Sequence, residues 1–238
     1  MKAIVPAAGR GTRLRPRTDD RPKALVEVAG KPLLTRVFET LDGLETEFEA
    51  FVVVVGYRGD AIIEQYGEQF RDTPLQYVEQ TNPRGLAHAV RQADHLIDEP
   101  FFVMNGDNLF DNANLDAVRK AAREKCADGA LLVTEASYST AKTTGVCETS
   151  ADGTLQSIVE KPADPPTTLI NTGVAVLPSE TMHACHLVQP SDRGEYELPA
   201  AIELLLSAGF QITTVRLDGW RCNVNTPKDL ESAIARFE

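Results

Sequence analysis

Short β-branched runs alternate with longer stretches of helical apolar spacing through the first half of the chain, the pattern of a parallel sheet covered by helices. Strands are expected at about 2–7, 50–55, 75–79, 100–104 and 130–135. Helices are expected between them, at 32–41 with Pro32 in the favoured first position, and at about 59–70, 85–97 and 114–126. The pattern then changes. Residues 146–149, the dipeptide Asp152-Gly153 and residues 155–160 read as a hairpin turning on Asp-Gly. Further strands are expected near 170–177 and 211–216, and helices at about 197–208 and 226–237, the last opening at Thr226-Pro227. The expected class is therefore α/β, a mixed and mostly parallel sheet flanked by helices. Pro162, Pro165 and Pro166 mark a loop too short for a domain linker, so residues 1–238 read as a single domain.

Composition narrows the classes of partner. The 238 residues carry a formal charge of −11, with a pI near 4.9, which argues against nucleic acid, because polyanion binding depends on clustered cations. Only 8 of the 24 cations are Lys, and few lysines beside many carboxylates suit a protein living in high salt. An ordinary acidic cytosolic enzyme fits the same numbers. The longest wholly apolar run, 50–55, is far short of the ~20 residues that span a bilayer, and the start reads as a strand rather than a signal peptide. A cytoplasmic location without a membrane span is expected. Cys126, Cys147, Cys185 and Cys222 form no C-x-x-C pair, and His183, Cys185 and His186 lack a fourth partner at zinc spacing. Reduced thiols are expected.

Against that acidic background one loop stands out. Residues 9–23 hold Arg10, Arg13, Arg15, Arg17, Arg21 and Lys23 against Asp19 and Asp20, a local +4 that leaves −15 for the rest of the chain. The loop is neither of two common phosphate motifs: it lacks the Lys-Ser/Thr of a P-loop, and Leu14 stands where a dinucleotide fingerprint has its third glycine. The small residues Ala8, Gly9 and Gly11 let backbone N–H groups approach an anion, and the cations follow directly. A polyphosphate site is expected there.

The segment Ala7-Ala8-Gly9-x-Gly11-Thr12-Arg13-Leu14-x-Pro16, followed by Pro22-Lys23, resembles the signature of the sugar nucleotidyltransferases, the pyrophosphorylases that make nucleotide sugars. Asn105-Gly106-Asp107 resembles that family's metal motif, and Gln80-x-x-Pro83-x-Gly85-Leu86-Ala87-x-Ala89 its base-binding segment. Glu160-Lys161-Pro162, Asn171-Thr172-Gly173 and Gly194-Glu195-Tyr196 resemble its sugar-side elements, in order. The matches run from residue 3 to about 230, and the chain resembles the glucose-1-phosphate thymidylyltransferases and UTP-glucose-1-phosphate uridylyltransferases of that family. The resemblance implies a Rossmann-like fold of the nucleotide-diphospho-sugar transferase type, with a nucleotide-binding part at about 1–110 and a sugar-phosphate part at about 111–238. No hexapeptide repeat of a β-helix is visible, so a short form without the acetyltransferase of some bifunctional relatives is expected.

The implied reaction joins a sugar 1-phosphate to a nucleoside triphosphate and releases pyrophosphate. Its nucleophile is already a dianion near neutral pH, so the obstacle is repulsion between anions, and cations with Mg2+ as cofactor are the expected machinery. By resemblance, Arg13 and Lys23 hold the triphosphate, with Ala8, Gly9, Gly11, Thr12, Gln80 and Gly85 completing the nucleotide site. Lys161 meets the sugar phosphate, while Gly145, Glu160 and Asn171 line the sugar. Asp107 and Asn223 are the implied metal ligands, and Asn223 replaces the Asp usual in thymidylyltransferases. The Gln80 amide matches the N3–H and O4 edge of uracil or thymine, leaving UTP and dTTP both open. Glucose 1-phosphate and N-acetylglucosamine 1-phosphate also remain open, as does a non-catalytic, nucleotide-sugar-binding regulatory subunit. Self-association is common in the family, so a homo-oligomer is compatible with the resemblance.

Overall fold

The computed structural model describes residues 1–124 and 126–238; Lys125, at the end of the helix expected at 114–126, lies outside the described residues. The chain divides into two compact units. The first comprises Met1–Pro83, Met104–Ala113 and Gly219–Glu238, the second Arg84–Val103 and Asn114–Asp218.

In the first unit, Phe51–Val55 pairs in parallel with Ala3–Pro6 on one side and Thr73–Glu79 on the other. All five of its residues are buried, as befits an interior parallel strand covered on both faces. Helix Leu33–Asp42 buries Leu33, Leu34, Val37, Phe38 and Leu41, and Phe38 stacks on Phe51 with ring centroids 5.5 Å apart. Pro32 precedes this helix instead of beginning it, because Lys31–Pro32 is already paired with Glu27–Val28 in a small hairpin. The helix expected at 59–70 stops at Tyr66. Gly67 takes a positive φ of 62°, and Gln69–Phe70 returns as a strand antiparallel to Thr73–Glu79.

A second apolar cluster in this unit joins distant parts of the chain. Leu14, Val26, Val28, Leu33, Leu109, Val224, Leu230 and Ala233 are buried together, with Trp220 and Phe237 packed at the edge. Above it Asn108–Asp111 pairs antiparallel with Trp220–Asn223, placing Asn223 opposite Asn108. The final helix, Pro227–Phe237, starts as expected at Thr226-Pro227. The Thr226 side chain and Asp229 form a reciprocal capping box there.

The second unit is largely antiparallel. Leu169–Leu177 pairs with Gly129–Glu135, and Gly145–Thr149 with Leu155–Glu160, while Ile212–Arg216 runs parallel to Gly129–Glu135. The expected hairpin is present, with Gly153 at φ 85° in its turn. Helix Leu198–Ser207 packs on Leu155–Glu160. The helix expected at 85–97 divides into Leu86–Val90 and the tighter 3₁₀ segment Arg91–Leu96, a common way for a helix to finish. The helix expected at 114–126 is Asp116–Glu124 among the described residues, and the strand expected at 100–104 is Phe101–Met104. The short helices Tyr138–Ala141 and Thr181–Leu187 were not among the expected elements; four and seven residues are too few for a 3.6-residue period to declare itself. The α/β class with a mixed sheet flanked by helices is the one the chain adopts.

Leu14 is 1% exposed and fixes the cationic loop to the apolar cluster. Replacing it with Ala is expected to lower unfolding free energy by about 2–5 kcal/mol, read by urea denaturation, because the surrounding helix and strand residues cannot fully collapse onto the vacated space.

Candidate functional site

Strand Ala3–Pro6 leads directly into the glycine-rich loop. The Ala7 N–H donates to the Val54 carbonyl at 2.8 Å, and Ala8 is buried against Gly56, where an added Cβ would fall 2.9 Å from the Ala8 methyl. Gly9 is exposed. Gly11 is confined to glycine twice over: its φ is 63°, and a Cβ would lie 2.9 Å from Lys23 Cβ and 3.0 Å from Thr18 Cγ2. Buried Thr18 donates its hydroxyl to the Gly11 carbonyl at 2.8 Å, closing the loop on itself. The 3₁₀ turn Thr12–Leu14 then points Leu14 into the core and leaves Thr12 and Arg13 exposed. Two other arginines of the loop serve differently. Arg10 lies over the Tyr57 ring at 5.5 Å, and Arg15 pairs with Asp19 at 3.1 Å.

Lys23 is 8% exposed, and a buried ammonium needs close acceptors. Its Nζ donates to Asp107 Oδ2 at 2.7 Å and to Asn225 Oδ1 at 2.9 Å. Asn225 Oδ1 also accepts from Arg13 Nη2 at 3.0 Å, and Asn225 Nδ2 donates to Asn223 Oδ1 at 2.7 Å. Four residues read from the sequence as triphosphate and metal groups thus converge, and the one joining them, Asn225, went unread. The available signal was the alternation Asn223-Val224-Asn225: with Val224 buried, a period of two turns both amides the same way. The Val224 N–H donates to the Asp107 carbonyl at 2.9 Å, holding this segment beside the Asn-Gly-Asp turn.

Asp107 and Asn223 present hard oxygen donors, and the Asn105 Oδ1 of the same turn is buried without a hydrogen-bond partner. Mg2+ suits such a set, since it takes one or two carboxylates, keeps waters and completes its shell with substrate phosphates. A self-sufficient cage is not formed: no group of three or more His, Cys, Asp or Glu placed to hold a metal ion occurs among the described residues. Behind Asp107, Arg221 donates to Asn108 Oδ1 at 3.0 Å, and burial lowers its pKa while Asp107 opposes that shift. Gln80 is buried at the carboxyl end of strand Thr73–Glu79, where α/β ligand sites open.

The residues read as sugar-side lie in the second unit. Gly145 sits opposite Glu160 in the hairpin register, and a Cβ there would come 3.2 Å from Glu160 Oε2 and 3.7 Å from Asn171 Cβ, so the three share one spot. Lys161, at φ 48°, turns its ammonium to 3.1 Å from Glu160 Oε1 and 3.9 Å from Glu195 Oε2. Burial raises the Glu160 pKa, and the Lys161 charge opposes the rise. Asn171 Oδ1 accepts the Gly173 N–H at 2.9 Å beside an irregularity in strand pairing. Gly85, read as a nucleotide residue, also belongs to this unit. Its φ is 103°, and any Cβ would meet the Tyr196 backbone at 2.5 Å. The Ala87 N–H donates to the Tyr196 carbonyl at 2.9 Å and the Tyr196 N–H to the Arg84 carbonyl at 2.7 Å, so the 80–89 and 194–196 motifs meet through their backbones. The four cysteines are free thiols. No helix among the described residues is long and apolar enough to cross a membrane.

A glycine-rich cationic loop feeding an amide and carboxylate network defines a phosphate-handling α/β transferase. The chain belongs to the nucleotidyl transferase family, which matches residues 2–237. It is 47% identical, over all of its length and 97% of the other's, to a UTP–glucose-1-phosphate uridylyltransferase, AglF, of Haloferax volcanii. A glucose-1-phosphate thymidylyltransferase of Streptomyces griseus is 35% identical across 97% of this chain, which spans 64% of that protein's length. The fold is shared with a solved UDP-glucose pyrophosphorylase complexed with UDP-glucose, at a TM-score of 0.89 and 22% identity over 99% of this chain and 97% of that one.

Because the folded state raises the Glu160 pKa above the ordinary value of 4.5, it holds that proton more tightly than the unfolded chain does. The residue's contribution is fully present below pH 4.5 and is lost as pH rises through the folded value. Glu160→Gln is expected to raise the denaturation midpoint at pH 7, with the gain shrinking to nothing below pH 4.5, as followed by thermal melts across that range.

Proposed function

We propose that this protein transfers a uridylyl group from UTP to glucose 1-phosphate, giving UDP-glucose and pyrophosphate. The convergence of Arg13 and Lys23 on one amide beside Asp107 and Asn223 carries the reading, and full-length similarity to AglF supports the choice of substrates. The sugar phosphate attacks the α-phosphorus and the bond to pyrophosphate breaks. Arg13 and Lys23, with the amides of Gly9, Gly11 and Thr12, hold the triphosphate and stabilise charge growing on the departing pyrophosphate. Gln80 reads the pyrimidine edge. Lys161 draws the sugar phosphate in against anion repulsion, while Glu160 accepts from sugar hydroxyls and Gly145 and Asn171 shape their seat. Gly85 sets the backbone of the motif joined to Tyr196.

Mg2+, held by Asp107 and Asn223, would neutralise phosphate charge and brace the leaving group. With Asn223 in place of a carboxylate the residues would offer Mg2+ one negative charge fewer than a pair of aspartates. The acidic composition with few lysines, together with the similarity to the Haloferax volcanii enzyme, supports work at high salt, and the reading places that work in the cytoplasm.

Pyrophosphate release measured for four nucleoside triphosphates crossed with glucose, N-acetylglucosamine and mannose 1-phosphates is expected to be fastest for UTP with glucose 1-phosphate. Absence of release in every combination would overturn the catalytic reading. Arg13→Ala is expected to cut kcat by roughly 100-fold or more, the loss typical of removing one group that stabilises developing negative charge. Asn223→Asp is expected to tighten Mg2+ binding several-fold, about the effect of one added carboxylate ligand, and an unchanged metal titration would refute the assigned pair.

A further inference from the structure

We propose that Asn225 is a positioning residue of the triphosphate-binding face, an uncharged hub that orients Arg13, Lys23 and Asn223 without neutralising either cation. The inference rests on the nucleotidyl-transfer reading of the site. Its basis is the polarity of the amide. Lys23 and Arg13 can only donate, so the edge of Asn225 they contact must be Oδ1, at 2.9 and 3.0 Å. That leaves Nδ2 facing Asn223, whose contacting atom must then be its acceptor, Oδ1, at 2.7 Å. The two cations therefore dictate the orientation of Asn225, which in turn dictates the orientation of Asn223. The carbonyl assigned to the metal is set by the groups assigned to the phosphates.

A carboxylate at this position would bind both cations more tightly, and it would cancel charge that the triphosphate needs. An amide carbonyl aligns the ammonium and guanidinium while adding no negative charge beyond the one that Asp107 already sets against Lys23. The side chain is free to serve this role because the segment is anchored elsewhere. The Asn225 N–H donates to Asp229 Oδ2 at 3.0 Å, Thr226 caps the final helix, and Val224 is fully buried.

The test compares Asn225→Ala and the near-isosteric Asn225→Asp with the wild type by calorimetric titration with UTP and with inorganic triphosphate, by steady-state kinetics and by thermal melts. Asn225→Ala is expected to raise Kd and KM for UTP by about 5–10-fold and to lower kcat, with KM for glucose 1-phosphate unchanged, as befits loss of an interaction confined to one substrate. Asn225→Asp is expected to weaken UTP and triphosphate binding by roughly tenfold or more, exceeding the Ala variant, because the new charge occupies both cations. Melting temperatures should stay close to the wild type. Binding within twofold of the wild type in both variants, or equal rises in KM for both substrates with a lowered melting temperature, would overturn the inference. Failure of the wild type to release pyrophosphate with any substrate pair would remove the proposed reaction, whereas the titrations would still decide the role of Asn225.

Discussion

The constraint on which the phosphate-side site depends is the burial of one ammonium. Lys23 cannot leave water without acceptors on its charge, and desolvating a cation alone is among the costliest events in a fold. Asp107 supplies charge and Asn225 supplies a dipole, so segments far apart in sequence are drawn to one atom. The same burial presses the lysine stem against the loop, which is why residue 11 can carry no side chain. A positive backbone angle, a glycine and two amides all follow from where one nitrogen sits.

Beneath that polar layer lies an apolar one, and the two are made by the same short segments. Leu14 faces down beside Arg13, Leu109 beside Asn108, and Val224 between Asn223 and Asn225. Each segment contributes a hydrophobic side chain to the floor and a polar one to the face above. Hydrophobic burial, worth roughly 1.5–3 kcal/mol for each large side chain, sets backbone position firmly enough for hydrogen bonds of 2.7–3.0 Å to be made repeatedly.

Much of this was legible beforehand, and what was missed shares a cause. Long periodic segments such as Leu33–Asp42 and the Asp152-Gly153 hairpin declare themselves locally, and the charge count alone isolates the loop at 9–23. Asn108–Asp111 and Trp220–Asn223 do not, since four residues show too little period and each is a strand only because the other is opposite. The apolar spacing that predicts a helix over 59–70 continues past Gly67, whose positive φ ends the helix at Tyr66. In the site, residue types in motifs gave Arg13, Lys23 and Asp107. Asn225 was hidden because an amide two residues from another amide acquires a role only when two cations point at it.

The first unit draws on three stretches, the last lying more than a hundred residues beyond the second, with Trp220–Asn223 pairing back to Asn108–Asp111. A chain made from its N-terminus therefore exposes Lys23 and Asp107 long before Asn223 and Asn225 exist. Closing so long a loop adds little entropy cost over a shorter one, yet such non-local pairing slows folding. The cation loop must wait, incompletely partnered, until the segment at 219–225 has been synthesised. Completion of the network around Lys23 is thus a late event in the life of each new chain, and a polypeptide interrupted before that segment would carry the recognisable loop without the partners it belongs with.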